Sequence, residues 1–246
     1  MSSFFSSVSP KTNFFLGIGS ALGVFFIVGF FVLLFMVLND SPNSTATQQP
    51  VNTNVQGGQQ GNPSSIAPVT KDDWSRGPED ARITIVEFSD TECPFCQKFH
   101  PELQKLIATY PDDVRWVYRH YPLVSLHSKA PKEAEATECA GELGGNDGFW
   151  KFIDRMYEVT PANNGLDPAQ LPQIAEEVGL DRDAFTECLS SGKYAQKVQS
   201  QVSEAVNAGG QGTPYSVILV DDQIVPVSGY VPFEQLQSFV ESVLAS

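Results

Sequence analysis

The chain has 246 residues, with 15 Lys and Arg against 29 Asp and Glu and a formal net charge of −14. A surface this acidic disfavours nucleic acid and anionic headgroups as partners. The length allows one domain of ordinary size with a sizeable core, plus flanking segments.

Residues 1–13 form a short segment ahead of Phe14 to Leu38, a run of 25 residues without a charge, bounded by Lys11 and Asp40. At about 1.5 Å per residue such a helix would reach about 37 Å, enough to cross about 30 Å of hydrocarbon with some tilt. A cleavable signal peptide has a shorter apolar region and a small-residue cleavage site, and Val37-Leu38-Asn39-Asp40-Ser41 offers no convincing one. The sequence therefore predicts an uncleaved single-pass anchor at 14–38. Lys11 and the chain amine favour a cytoplasmic 1–13, with the rest outside the cell membrane. Residues 39–70 are rich in Gln, Asn, Ser, Thr, Gly and Pro, and read as a flexible linker.

Residues 71–246 make up the expected domain. Ile83 to Phe88 is a near-continuous apolar run of the kind that forms a buried strand. Cys93-Pro94-Phe95-Cys96 follows, and then Phe99, Leu103, Leu106, Ile107 and Tyr110 at helical spacing. The two thiols thus sit where a strand feeds a helix, and the unpaired amides and positive dipole end there favour a thiolate. In such a place the thiol pKa can fall from about 8.5 to about 3.5–7.5. Pro94, with fixed φ and no N–H, suits the first helical turn. Asp90 and Glu92 put negative charge beside Cys93 and should act in the opposite sense.

Val114 to Tyr121 alternates and is aromatic, as a second strand would be. Helices are expected over Lys129 to Leu143, ending at Gly144-Gly145, and then around Phe149 to Tyr157. Further helices should start at Asp167-Pro168 and at Asp181, and another should run from Lys193 to Ala208. Tyr215 to Val220 and Gln223 to Ser228 flank Asp221-Asp222 as a β-hairpin. An amphipathic helix carrying Phe233, Leu236, Phe239, Val240 and Val243 closes the chain.

The cysteine pair alone is open to three readings: a redox couple, an inert bridge or half of a zinc site. Zinc usually needs two such pairs, and Cys139 and Cys188 lie 49 residues apart with no His pattern nearby, so no metal is expected. A copper-binding module is disfavoured because no Met lies near the thiols. His100, His120 and His127 have no catalytic partners in evident register and are expected to be structural. Four cysteines permit three pairings. In an oxidising compartment Cys93–Cys96 with a structural Cys139–Cys188 bridge is the one expected.

Gly77 to Leu103, through Phe88-Ser89-Asp90 and Cys93-Pro94-Phe95-Cys96, with Thr213-Pro214 just before the hairpin, resembles the DsbA-type thiol:disulfide oxidoreductases of the membrane-anchored bacterial kind. The resemblance covers nearly all of residues 77–245. It implies an α/β thioredoxin fold with a helical insertion, about 125–192, after the second strand. It implies that Cys93 is the attacked and attacking sulfur, Cys96 its more buried partner, and Phe95 their apolar neighbour. Thr213-Pro214 would be the fold's cis-proline site, presenting the Thr213 backbone to an extended substrate. Glu87 matches an acidic residue of the family that, when buried, exchanges a proton with Cys96. No organic cofactor is implied. The partners would be reduced unfolded or translocating proteins and a membrane quinone-linked reoxidant, DsbB-like or VKOR-like. The expected activity is disulfide donation, with a reductase or isomerase of the same fold as the nearest alternative.

Overall fold

The computed structural model describes residues 61–246. The anchor expected at 14–38, the segment 1–13 and linker residues 39–60 lie outside the described residues. Among the described residues no helix is long and apolar enough to cross a membrane.

A five-stranded sheet in the order β1-β3-β2-β4-β5 forms the frame. Its strands are β1 (Trp74–Arg76), β2 (Ile83–Ser89), β3 (Val114–His120), β4 (Tyr215–Val220) and β5 (Gln223–Ser228). Only β2 and β3 run parallel. Parallel neighbours need a crossover, and α1 (Pro94–Thr109) supplies it. After β3 come α2 (Ala130–Val159), α3 (Leu171–Glu177) and α4 (Arg182–Ser191), which make up the helical insertion. Then α5 (Ala195–Asn207) returns the chain to the β4–β5 hairpin, and α6 (Phe233–Leu244) ends it. This is a thioredoxin-like α/β fold with a helical insertion.

The apolar run of β2 is explained by a core on each face of the sheet. Ile83 and Ile85 pack into one core with Leu103, Trp116, Tyr118, Phe149 and Ile153. Val86 and Phe88 pack into the other with Val117, Tyr121, Tyr215 and Val217. Strand side chains alternate, so Glu87 and Ser89 fall on the same face as Ile83 and Ile85. That face is the one covered by α1 and the insertion.

Helix α2 breaks at Gly145, with φ 64 and ψ −159, at the Gly144-Gly145 pair expected to separate two helices. Cys139, in its first half, is joined to Cys188 of α4, with Cα atoms 5.8 Å apart. The edge strand β1 pairs antiparallel with β3. It was not read from sequence, because three residues are too few for alternation to show.

Residues 61–70 are not linker, a correction to the composition reading. The Asn62 amide donates to the Asn207 carbonyl at 2.8 Å. The buried Arg119 guanidinium donates to the carbonyls of Ala67, at 3.1 Å, and Pro68, at 3.4 Å. It also pairs with Asp73 at 2.9 Å and with Glu204. Ile66 and Val69 pack against the second core. A Cβ on Gly61 would stand 2.1 Å from the Cα of Gly209, so the close approach of the two backbones requires glycine at 61, while Gly209 is favoured by its φ of +103. The segment is held through its backbone by distant side chains, which its own composition does not reveal.

Candidate active site

Cys93 is the N-cap of α1, with φ −80 and ψ 120, and Pro94 occupies the first turn. Both Cys93 and Cys96 are free thiols. Cys93 is 4% exposed and Cys96 is fully buried. Cys93 is thus the more accessible of the two, but less open than its place at a helix start suggested. Phe95, between them, is 56% exposed and marks the surface above the pair.

The two sulfurs are driven apart in acidity. The Cys93 pKa is lowered to about 6, first by a hydrogen bond from Cys96, against the effect of burial. Thr213 and the backbone amides of Phe95 and Cys96 add to the lowering, as expected where amides converge at a helix start. Burial pushes Cys96 well above the ordinary thiol range, and the neighbouring Cys93 and Glu87 push it further.

Asp90 and Glu92 do not raise the Cys93 pKa as their proximity in sequence suggested. Asp90 Oδ2 accepts from the Leu123 amide at 2.7 Å and lies 2.8 Å from His127 Nδ1, while its Oδ1 accepts from the Glu92 amide at 2.8 Å. The buried Glu92 carboxylate accepts from the amides of Gly165, at 3.2 Å, and Leu166, at 3.4 Å. Each charge is compensated by its own donors. The load falls on Glu133, whose pKa rises to about 8 through burial and the nearness of Glu92.

On the other side of the cysteines, Thr213-Pro214 is a cis peptide. Cys93 Sγ lies 3.4 Å from the Thr213 carbonyl oxygen. Thr213 and Pro214 also line a groove of about 370 Å³ with Gly212 and Gly229.

Glu87 is fully buried. Its Oε1 accepts from the Ser89 hydroxyl at 2.7 Å and its Oε2 from the Trp116 indole N–H at 2.9 Å. Burial, outweighing those hydrogen bonds, raises its pKa to about 7. Sequence reasoning missed the rest of this polar cluster. Ser89 Oγ is 3.1 Å from Tyr157 OH, which is 3.2 Å from Tyr118 OH. The available signal was the two-residue spacing of Glu87 and Ser89 on one strand face.

The three histidines are buried and each has an acidic partner. His100 meets Asp154 at 2.7 Å, His120 meets Glu138 at 3.0 Å and His127 meets Asp90 at 2.8 Å. Among the described residues no group of three or more His, Cys, Asp and Glu is placed to hold a metal ion. A thiol of lowered pKa beside a buried thiol of raised pKa is suited to thiol–disulfide exchange: one sulfur attacks or leaves readily, and the other holds its proton.

Comparison with solved structures points the same way. DsbA2 of Pseudomonas aeruginosa superposes with a TM-score of 0.61 at 28% identity, covering 72% of this chain and 96% of that one. A thioredoxin-like oxidoreductase of Silicibacter pomeroyi gives 0.59 at 26% identity, covering 74% and 98%. The Na(+)/H(+) antiporter NhaA 3 of Salinispora tropica is 37% identical over 150 residues, 61% of this chain. The chain spans only 22% of that relative's length, so the antiporter activity in its name belongs to that protein. A family model described as thioredoxin matches residues 69–242, and the chain belongs to that family, with the fold of the DsbA-like thiol:disulfide oxidoreductases.

Proposed function

We propose that this protein donates disulfides to reduced proteins outside the cytosol, through a Cys93–Cys96 couple. The observation that carries this reading is the split acidity of the pair, Cys93 lowered to about 6 and Cys96 raised. A stabilised Cys93 thiolate favours the reduced form of the enzyme and so makes its disulfide the better oxidant. A substrate thiolate attacks Cys93 Sγ, the Cys93–Cys96 bond breaks, and Cys96 leaves with the electron pair. A second substrate thiolate then displaces Cys93 and closes the substrate disulfide. The Thr213 backbone beside Cys93 aligns the incoming segment.

The Cys139–Cys188 bridge supports an oxidising compartment. Residues 14–38 would tether the domain to the cell membrane with its active site outward. A membrane quinone-linked partner, DsbB-like or VKOR-like, would restore the disulfide after each turnover. No organic cofactor takes part in the exchange.

The full-length oxidised protein is expected to oxidise a reduced, unfolded, cysteine-containing protein, and Cys93→Ser to abolish this. The couple's potential against glutathione should lie nearer about −120 mV than about −270 mV. A value at the negative end, with net reduction of substrate disulfides, would make the protein a reductase instead.

A further inference from the structure

We infer that Ser89 is a catalytic hydroxyl carrying the proton between Cys96 and Glu87, and that Tyr157 of the helical insertion is the positioning residue that aims it. The inference rests on the exchange reaction proposed above and adds a route for its proton.

The Glu87 carboxyl has two neighbours of different kinds. Oε2 is held by the Trp116 indole at 2.9 Å, a donor that cannot accept a proton in return. Oε1 is held by Ser89 Oγ at 2.7 Å, and a hydroxyl both donates and accepts. The Cys96 sulfur accepts from the amide of Asp90, the residue after Ser89, at 3.4 Å, and the Ser89 side chain is among the groups that act to lower the Cys96 pKa. Among the described residues, the partner of Glu87 able to pass a proton is therefore the neighbour in sequence of the residue whose amide holds the buried sulfur. Ser89, Cys96, Tyr118 and Tyr157 are all buried, so the hydroxyl stands where bulk water does not reach. Tyr157 OH, 3.1 Å from Ser89 Oγ, is braced by Tyr118 OH at 3.2 Å and reaches the Asp90 carbonyl at 3.4 Å.

The step balances as follows. Substrate thiolate attacks Cys93 Sγ, the Cys93–Cys96 bond breaks, and its electron pair goes to Cys96 Sγ. Ser89 gives its proton to that sulfur while taking one from the Glu87 carboxyl, which is left as carboxylate. When Cys96 must attack instead, the same proton returns along the same hydroxyl to Glu87.

The test uses the full-length oxidised protein and a cysteine peptide as probe, with mixed-disulfide formation followed by stopped flow across pH. General acid–base steps contribute about 10²–10⁴-fold, and Ser89→Ala is expected to slow the reaction about 10²-fold and to flatten the pH limb that Glu87→Gln also removes. The double variant should lose no more than the worse single, since two groups in series share one contribution. Tyr157→Phe, which removes only a hydroxyl, should slow the reaction less and displace the same limb. Wild-type rates, or slower rates with the limb unmoved, or additive losses, would overturn the relay. If Ser89→Ala does not fold, the limb in Tyr157→Phe decides. Exchange that survives Cys93→Ser would overturn the underlying reaction rather than the relay.

Discussion

Cys93 Sγ sits 3.4 Å from the carbonyl oxygen of Thr213, a residue 120 positions further along the chain. The register of the sheet creates this meeting. Strands β2 and β4 pair antiparallel with Phe88 opposite Tyr215, so the chain entering β4 lies beside the chain leaving β2. The Cys93 thiol and the cis-proline segment are thus brought together by backbone pairing of two central strands.

The Thr213 hydroxyl is buried and has no hydrogen-bond partner among the described residues. It is therefore free to donate to a thiolate, and Thr213 is among the causes of the lowered Cys93 pKa. Thr213→Val keeps the shape and removes the donor. A hydrogen bond to a charged group is worth about 1.5–3 kcal/mol, so the Cys93 pKa should rise by about one to two pH units. Ultraviolet absorbance of the thiolate against pH measures it. An unshifted titration would mean that the hydroxyl does not face the sulfur.

Reduced and oxidised forms should differ in stability in a pH-dependent way. The folded Cys93 pKa is lowered to about 6, against 9.0 for an ordinary thiol. A folded pKa held below the unfolded one stabilises the reduced form fully above about 9, and this advantage is lost as pH falls through about 6. Between these limits the folding equilibrium of the reduced protein should gain about tenfold per pH unit on that of the oxidised protein. Glu87 and Glu133, raised to about 7 and about 8, act in the opposite sense. Both are present in either redox form, so comparing the two forms removes most of their effect. Denaturant unfolding of each form at several pH values tests this, and parallel pH curves would contradict a low Cys93 pKa.

Legibility in the sequence followed the range of the interactions. The strand before the cysteines, the helix start at Pro94 and the β4–β5 hairpin are written in local pattern, and the structure has all three. Glu87 was legible because a carboxylate interrupts an apolar run. Ser89 was not, because a serine at a strand end looks like turn chemistry until its neighbours across the core are known. The acidity of Cys93 was misjudged because charge was counted along the chain, whereas Asp90 and Glu92 are turned to donors from residues 123–127 and 165–166. Arg119 read as one position of an aromatic strand. Its role depends on Asp73 and Glu204, 46 and 85 residues away.

Removing the Cys139–Cys188 bridge should affect stability and spare chemistry. The bridge joins α2 to α4 inside the insertion and closes a separation of 49 residues. In the chain-entropy model such a loop is worth about 4 kcal/mol. The double variant Cys139→Ala/Cys188→Ala should lower the denaturant midpoint accordingly while its Cys93 thiol keeps its low pKa. Loss of the low pKa in that variant would show that the insertion shapes the active site through this bridge.

The Arg119 clasp leads to a prediction about where the domain begins. The guanidinium is buried, satisfies two backbone carbonyls of residues 61–70, and neutralises Asp73 and Glu204. Arg119→Met fills the space but leaves two largely buried carboxylates without a counter-charge, at a cost of about 3–5 kcal/mol. Arg119→Lys should recover only part of this, because one ammonium cannot reproduce the forked contacts to Asp73 and the carbonyls. Since these contacts help to hold the segment, limited proteolysis should open new cuts between residues 61 and 70 in both variants, more in the first. If these bonds stay protected and the unfolding midpoint is unchanged, the segment is retained by the packing of Ile66 and Val69 alone, and the arginine is not its clasp.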